Sequence, residues 1–98
     1  MQLFFASSAL EDLNRIYAFV KVTYPKAVKL AAKRLYYGFN SLKKYPELGY
    51  PLFHLGKNFR EFLVPFGKGN YIIRYRVLKK KLFVLHLWHN KENRLRHF

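Results

Sequence analysis

Leu10, Leu13, Tyr17 and Val20 recur every three or four positions, the spacing of one buried helical face. Ser8-Ala9-Leu10-Glu11, at the head of this stretch, has the form of a capping box in which the Ser8 hydroxyl and the Glu11 carboxylate satisfy each other's backbone amides. Asp12 adds negative charge in the first turn, where the helix dipole favours it. The pattern predicts a first helix over residues 8–23. Tyr24-Pro25 breaks it, because a residue before proline avoids helical angles and proline suits the start of the next helix. Val28, Ala32, Leu35, Phe39 and Leu42 then step by four, three, four and three, an apolar stripe predicting a second helix over 25–44, with Lys26, Lys29 and Lys33 on another face. The gap is too short for anything but an antiparallel helical hairpin. Gly38 sits inside the stripe, either as a tolerated glycine or to let another backbone approach.

The rest of the chain changes period. Gln2–Phe5 is a short apolar run, most simply a first strand. Residues 45–51, with two prolines and a glycine, form a loop leaving the hairpin. Phe59–Pro65 is predicted as a strand, Gly67–Asn70 as a turn and Tyr71–Val77 as a strand. In the last, Tyr71, Ile73, Tyr75 and Val77 share one face while Ile72, Arg74 and Arg76 share the other. Lys79-Lys80-Lys81 makes the next turn, where its charges either oppose edge pairing or grip phosphates. Leu82–Trp88 is apolar on both faces except at His86, as befits a central strand covered on both sides, and leaves the side taken by His86 and Trp88 open. Asn90–Phe98 is a polar, basic tail. The predicted class is α+β: a helical hairpin packed on a small antiparallel sheet, in the order β-α-α-β-β-β, as one domain over 1–98.

Composition adds a surface to this core. The 98 residues are 51% hydrophobic and 19% aromatic, too rich in rings for a disordered basic tail. Lys and Arg total 19 against five acids, a net charge of +14. A small domain needs only about 2–8 charges for solubility, so the excess implies a polyanionic partner. The chain has no cysteine, which excludes disulfides and thiolate metal sites. No apolar run approaches the ~20 residues of a membrane span, and the N-terminus lacks the pattern of a signal peptide. A cytoplasmic protein that contacts no membrane is the expectation.

Two groups carry candidate chemistry. Arg74 and Arg76 share a strand face, and Arg60 joins them if the register allows, as an arginine platform for phosphates or acidic side chains. With five acids in the chain, most of these arginines are expected to lack internal partners. The second group is His86, His89, Lys91, Arg94, Arg96 and His97. His86 and His89, three apart on one strand, face opposite sides, which disfavours a shared metal site. His86 reads as a hydrogen-bonded strand histidine, and His89 at the strand end as the better functional position. Acids are too sparse for a paired-carboxylate site, and no metal or cofactor is expected.

Several segments together resemble one family. They are Ala9-Leu10-Glu11-Asp12-Leu13-x-x-Ile16, Pro25-Lys26-Ala27, Leu42-x-x-Tyr45-Pro46-x-Leu48-Gly49, Arg60-Glu61-Phe62, Asn70–Val77 and Leu85-x-Leu87-Trp88-His89-Asn90. In this order they resemble the RelE/ParE superfamily of toxins from type II toxin–antitoxin pairs, across nearly the whole chain. The resemblance implies growth arrest relieved by a cognate antitoxin, acidic and partly disordered. RelE-like members cut mRNA on the ribosome, whereas ParE-like members are thought to act on DNA gyrase without nuclease residues. On the nuclease pattern the carried-over residues are Arg60, Lys91 and His97. But Phe62 replaces a second basic residue, Ile72 stands where an arginine would support the phosphate transition state, and His97 falls near the place of a catalytic tyrosine. The resemblance is therefore ParE-like, an inhibitor of gyrase more than an enzyme, with a ribosome-dependent endoribonuclease as the alternative. Its implied target- or antitoxin-binding residues are Arg60, Arg74, Arg76, His89, Lys91, Arg94 and Arg96.

Overall fold

The computed structural model describes residues 1–92; Arg94, Arg96 and His97 lie outside the described residues, as do the others in 93–98. The elements run β1 (Gln2–Phe5), α1 (Ser7–Thr23), a 3-10 turn (Pro25–Ala27), α2 (Val28–Lys44), β2 (Tyr50–Pro51), β3 (Phe59–Phe66), β4 (Gly69–Leu78) and β5 (Lys81–His89). The helical hairpin covers one face of a single sheet of order β1-β5-β4-β3-β2. The α+β architecture is as expected, with two differences. A two-residue strand, β2, forms from the proline-rich exit loop against Glu61 and Arg60. And the sheet is mixed, because β1 runs parallel to β5, while β2 to β5 are antiparallel throughout.

Gly38 explains how tightly the layers meet. A Cβ there would stand 2.7 Å from Val64 Cγ2 and 3.0 Å from Ile73 Cδ1. The glycine admits side chains of β3 and β4, not another backbone. Around it Ala31, Leu35 and Leu42 of α2 and Ala9, Ile16 and Val20 of α1 meet Val64, Tyr71, Ile73, Tyr75, Leu82, Val84 and Leu87 in one core. The alternation of β4 holds: Tyr71, Ile73 and Tyr75 are buried towards the helices.

The first helix departs from its reading. Its buried stripe is Ala9, Asp12, Ile16 and Val20, with Leu13 and Tyr17 at its flank, and Leu10 is exposed. No capping box forms. Helix α1 begins one residue earlier, with Ala6 at its N-cap and no side-chain cap, so Asp12 falls beyond the first turn. Ser8 Oγ instead donates to the Leu85 carbonyl at 2.7 Å. The cause is the short β1, whose pairing with β5 ends at Val84. Past that point α1 completes the edge. Asp12 Oδ2 accepts from the Leu87 amide at 2.9 Å and Arg15 Nη2 donates to the Leu87 carbonyl at 3.0 Å. Backbone groups on an edge strand need partners, and three helical side chains supply them.

A bulge settles the side taken by the end of β5. Arg74 pairs with His86 and Tyr75 with Val84, leaving Leu85 unmatched. The extra residue shifts the alternation, so Leu82, Val84 and Leu87 all reach the core. His86 and Trp88, paired with Arg74 and Ile72, lie on the face away from the helices.

Candidate functional site

Register divides the three arginines. Residues directly paired across a ladder point to the same side. Arg74 pairs with Glu61 and Arg76 with Phe59, but Arg60 pairs with Tyr75, on the helix-covered face. Arg60 therefore does not join a platform with the other two. Its Nη1 donates to the Gly49 carbonyl at 2.6 Å and the Glu47 carbonyl at 3.2 Å. Beside it the Tyr75 hydroxyl donates to the Pro46 carbonyl at 2.6 Å and accepts from the Gly49 amide at 2.9 Å. Gly49 fits because any Cβ would stand 2.6 Å from Tyr75 Oη and 2.7 Å from the Glu61 carbonyl oxygen. Arg60 and Tyr75 together tie the exit loop of the helical hairpin to the sheet.

On the open face the expectation of unpaired arginines also needs correction. Glu61, buried at 6% exposure, binds Arg74 through Nη2 at 2.6 Å and Nε at 2.7 Å. The Tyr50 hydroxyl donates to its other oxygen at 2.8 Å. Arg74 also lies 5.3 Å from the centre of the Trp88 ring. Arg76 lies 4.5 Å over Phe59, and its buried Nε has no hydrogen-bond partner among the described residues. Lys81 Nζ stands 5.8 Å from the Phe4 ring. Each of these cations rests against an aromatic ring, an arrangement worth ~0.5–1 kcal/mol at exposed sites.

The histidines sit on opposite faces, as their spacing implied. His86 Nδ1 lies 3.3 Å from Asp12 Oδ2. His89 Nδ1 accepts from the Lys91 amide at 3.1 Å, which leaves Nε2 to donate to the Phe66 carbonyl at 2.8 Å. That assigns the neutral tautomer. The His89 ring meets Tyr71 edge-on at 5.1 Å between centroids, so it clamps the exit of β5 to the β3–β4 turn. Lys91 is exposed. Burial pushes the Tyr71 phenol up to about 12, with Tyr17 and Glu92 adding to the shift, out of reach of proton transfer near neutrality. No group of three or more metal-binding side chains occurs among the described residues.

The polar set that the sequence reading missed is Ser8, Asp12, Arg15 and Glu92. Arg15 Nη1 meets Asp12 Oδ1 at 2.5 Å and its Nη2 meets Glu92 Oε1 at 3.3 Å. Glu92 Oε1 also accepts from the His89 amide at 2.8 Å. Burial pushes the Asp12 carboxyl up, but the Leu87 amide, Arg15 and His86 outweigh it and hold the pKa below its ordinary value. The available signal was a polar stripe, residues 8, 12 and 15, at helical spacing beside the apolar one. On the outer side of the hairpin, Tyr17, Ala32, Tyr36 and Phe39 line an open groove of about 460 Å³ with Lys29 and Lys33 beside them.

A helical hairpin laid on a small mixed sheet, carrying a net charge of +14, defines a small basic α+β domain, and comparison with known proteins gives that class its role. The family model described as ParE toxin of type II toxin-antitoxin system, parDE, matches residues 3–94. Toxin RelE1 of Caulobacter vibrioides is 33% identical over 86 residues, covering 88% of this chain and 89% of the relative. The fold of the chromosomal ParDE toxin–antitoxin system from P. aeruginosa superposes with a TM-score of 0.71 at 20% identity, over 91% of this chain and 95% of that one. The chain belongs to the ParE toxin family and is the toxin of a type II toxin–antitoxin system, whose partner is an antitoxin. No helix among the described residues is long and apolar enough to cross a membrane.

Proposed function

We propose that this toxin arrests growth in the cytoplasm by binding and inhibiting DNA gyrase, and that it does not cut mRNA. The observation that carries this reading is the separation of its cations. In-line phosphoryl cleavage needs cations around the phosphate and a group that moves protons, all within reach of one atom. Here Arg60 is spent on the Glu47 and Gly49 carbonyls of the covered face, Arg74 is held by Glu61, and both nitrogens of His89 are engaged. Phe62 and Ile72 add no charge to the sheet. A toxin that works by occupancy needs only a surface, to which Arg76 and Lys91 contribute, and Arg94 and Arg96 add positive charge to the sequence. His97 has no proton-moving role in this reading.

Neutralisation follows the same chemistry. An acidic, partly disordered antitoxin folds as it binds, and charge complementarity speeds the encounter. The groove between Tyr17, Tyr36 and Phe39, flanked by Lys29 and Lys33, fits an amphipathic acidic helix. The test is a supercoiling assay with purified gyrase and relaxed plasmid. The full chain is expected to block supercoiling, and added antitoxin to restore it. Normal supercoiling together with cleavage of mRNA on programmed ribosomes would overturn the reading.

A further inference from the structure

The turn between β4 and β5 is built from the wrong residues for its shape. Leu78 pairs with Lys81, so Lys79 and Lys80 form a two-residue hairpin loop, and their φ angles are +49° and +64°. Positive φ at both loop positions marks the type I′ turn, which favours Asn-Gly. A lysine there crowds its own Cβ against the next carbonyl. Elsewhere among the described residues, positive φ falls on Gly56, Asn58 and Gly67, types that tolerate it. The adjacent hairpin, β3–β4, uses a glycine. Among the described residues, only this tip carries two exposed lysines in the left-handed region, followed by exposed Lys81. Strain kept at a surface turn, where no packing demands it, points to a task for the side chains.

The surroundings name the partner. About 7 Å along the strands from the Leu78–Lys81 pair, one row crosses four strands of the open face. Phe59 pairs with Arg76, Arg76 with Phe83 and Phe83 with Phe4. Phe4 and Phe83 stack at 5.5 Å, Phe4 stays 40% exposed, and the Arg76 Nε lacks a partner among the described residues. Lysines at one end and an exposed ring beside them match the two needs of single-stranded nucleic acid, phosphate neutralisation and base stacking. An acidic peptide would use the charge but not the ring.

We propose that the Lys79-Lys80-Lys81 tip and the neighbouring Phe4–Phe83 pair form a contact site for single-stranded nucleic acid, with phosphates on the lysines and a base on Phe4. The site goes beyond the proposed inhibition of gyrase and stands whether or not gyrase is the target. The experiment measures binding of the full chain to a fluorescent oligothymidylate across a salt series. Lys79→Asn with Lys80→Gly is expected to weaken binding about tenfold at low salt, to lower the log–log salt slope by about 1.4 for two lost phosphate contacts, and to raise the melting temperature. Lys79→Arg with Lys80→Arg retains the affinity. Lys21→Gln with Lys26→Gln removes the same charge from the exposed end of the helical hairpin and leaves the slope unchanged. The proposal is overturned if the tip variant binds like the wild type, if the hairpin variant loses as much, or if the tip variant melts lower. Equal binding of fluorescent polyglutamate, with the same loss at the tip, would overturn it in favour of an acidic protein partner.

Discussion

The two faces of the sheet treat charge in opposite ways. On the covered face, Arg60 and the Tyr75 hydroxyl are consumed by main-chain carbonyls and an amide of the exit loop. On the open face, Arg76 and Lys81 lie against Phe59 and Phe4, while Arg74 is held by Glu61 beside Trp88. A buried donor left without an acceptor costs about 1–3 kcal/mol, so polar groups on the covered face end up as parts of the fold. A cation that rests on a ring without an ion pair, as Arg76 and Lys81 do, is held only weakly and still has donors to offer. Function is therefore sought on the open face and at its lysine-rich end, and stability on the covered one.

Substitutions across the sheet test that division. Leu35→Ala, at 0% exposure beneath α2, should cost about 2–5 kcal/mol in urea unfolding, whereas Leu63→Ala on the open face, at 42% exposure, should cost under ~1 kcal/mol. Similar losses at the two positions would erase the contrast. Gly38→Ala should destabilise by about 1–3 kcal/mol through overpacking, because Val64 and Ile73 already fill the space. Tyr75→Phe leaves the Gly49 amide and the Pro46 carbonyl unsatisfied and should cost about 1–3 kcal/mol. Hydrogen exchange should then show faster exchange at Gly49 than in β5.

A smaller effect is read from pH. The folded pKa of Asp12 lies below its ordinary 3.8, so the unfolded chain binds the proton more readily and stability rises with pH across that window. Its contribution is fully present above about 3.8 and is lost as pH falls through the lower folded value. Asp12→Asn should flatten the acid limb of a stability–pH profile without altering the neutral shape. An unchanged acid limb would mean that the α1–β5 edge is held by something other than this carboxylate.

The covered face was legible in the sequence, the open face much less so. Tyr71, Ile73 and Tyr75 alternate strictly, and the stripe through Leu35 and Leu42 keeps helical spacing, because burial imposes a period on apolar residues. Periodicity says nothing about the offset between strands. Whether Arg60 faced Arg74 or opposed it depended on how β3 slides along β4, which the turn at Gly67 and Lys68 fixes in three dimensions. The bulge at Leu85 was hidden in a run that is apolar on both sides. Ser8 misled for a related reason. Its local pattern suited a cap, but the short β1 left the Leu85 carbonyl open and the hydroxyl went there. The parallel pairing of β1 is likewise a long-range outcome. The three lysines of the β4–β5 turn were visible from the start, whereas their left-handed backbone was not.

The division of cations between the faces is tested most directly at Arg60. The proposed inhibition of gyrase is measured for Arg60→Met per folded molecule, at a temperature where the variant and the wild type are both native. Arg60→Met is expected to melt at a lower temperature and to inhibit undiminished. Loss of inhibition with an unchanged melting temperature would place Arg60 in the working surface and contradict that division.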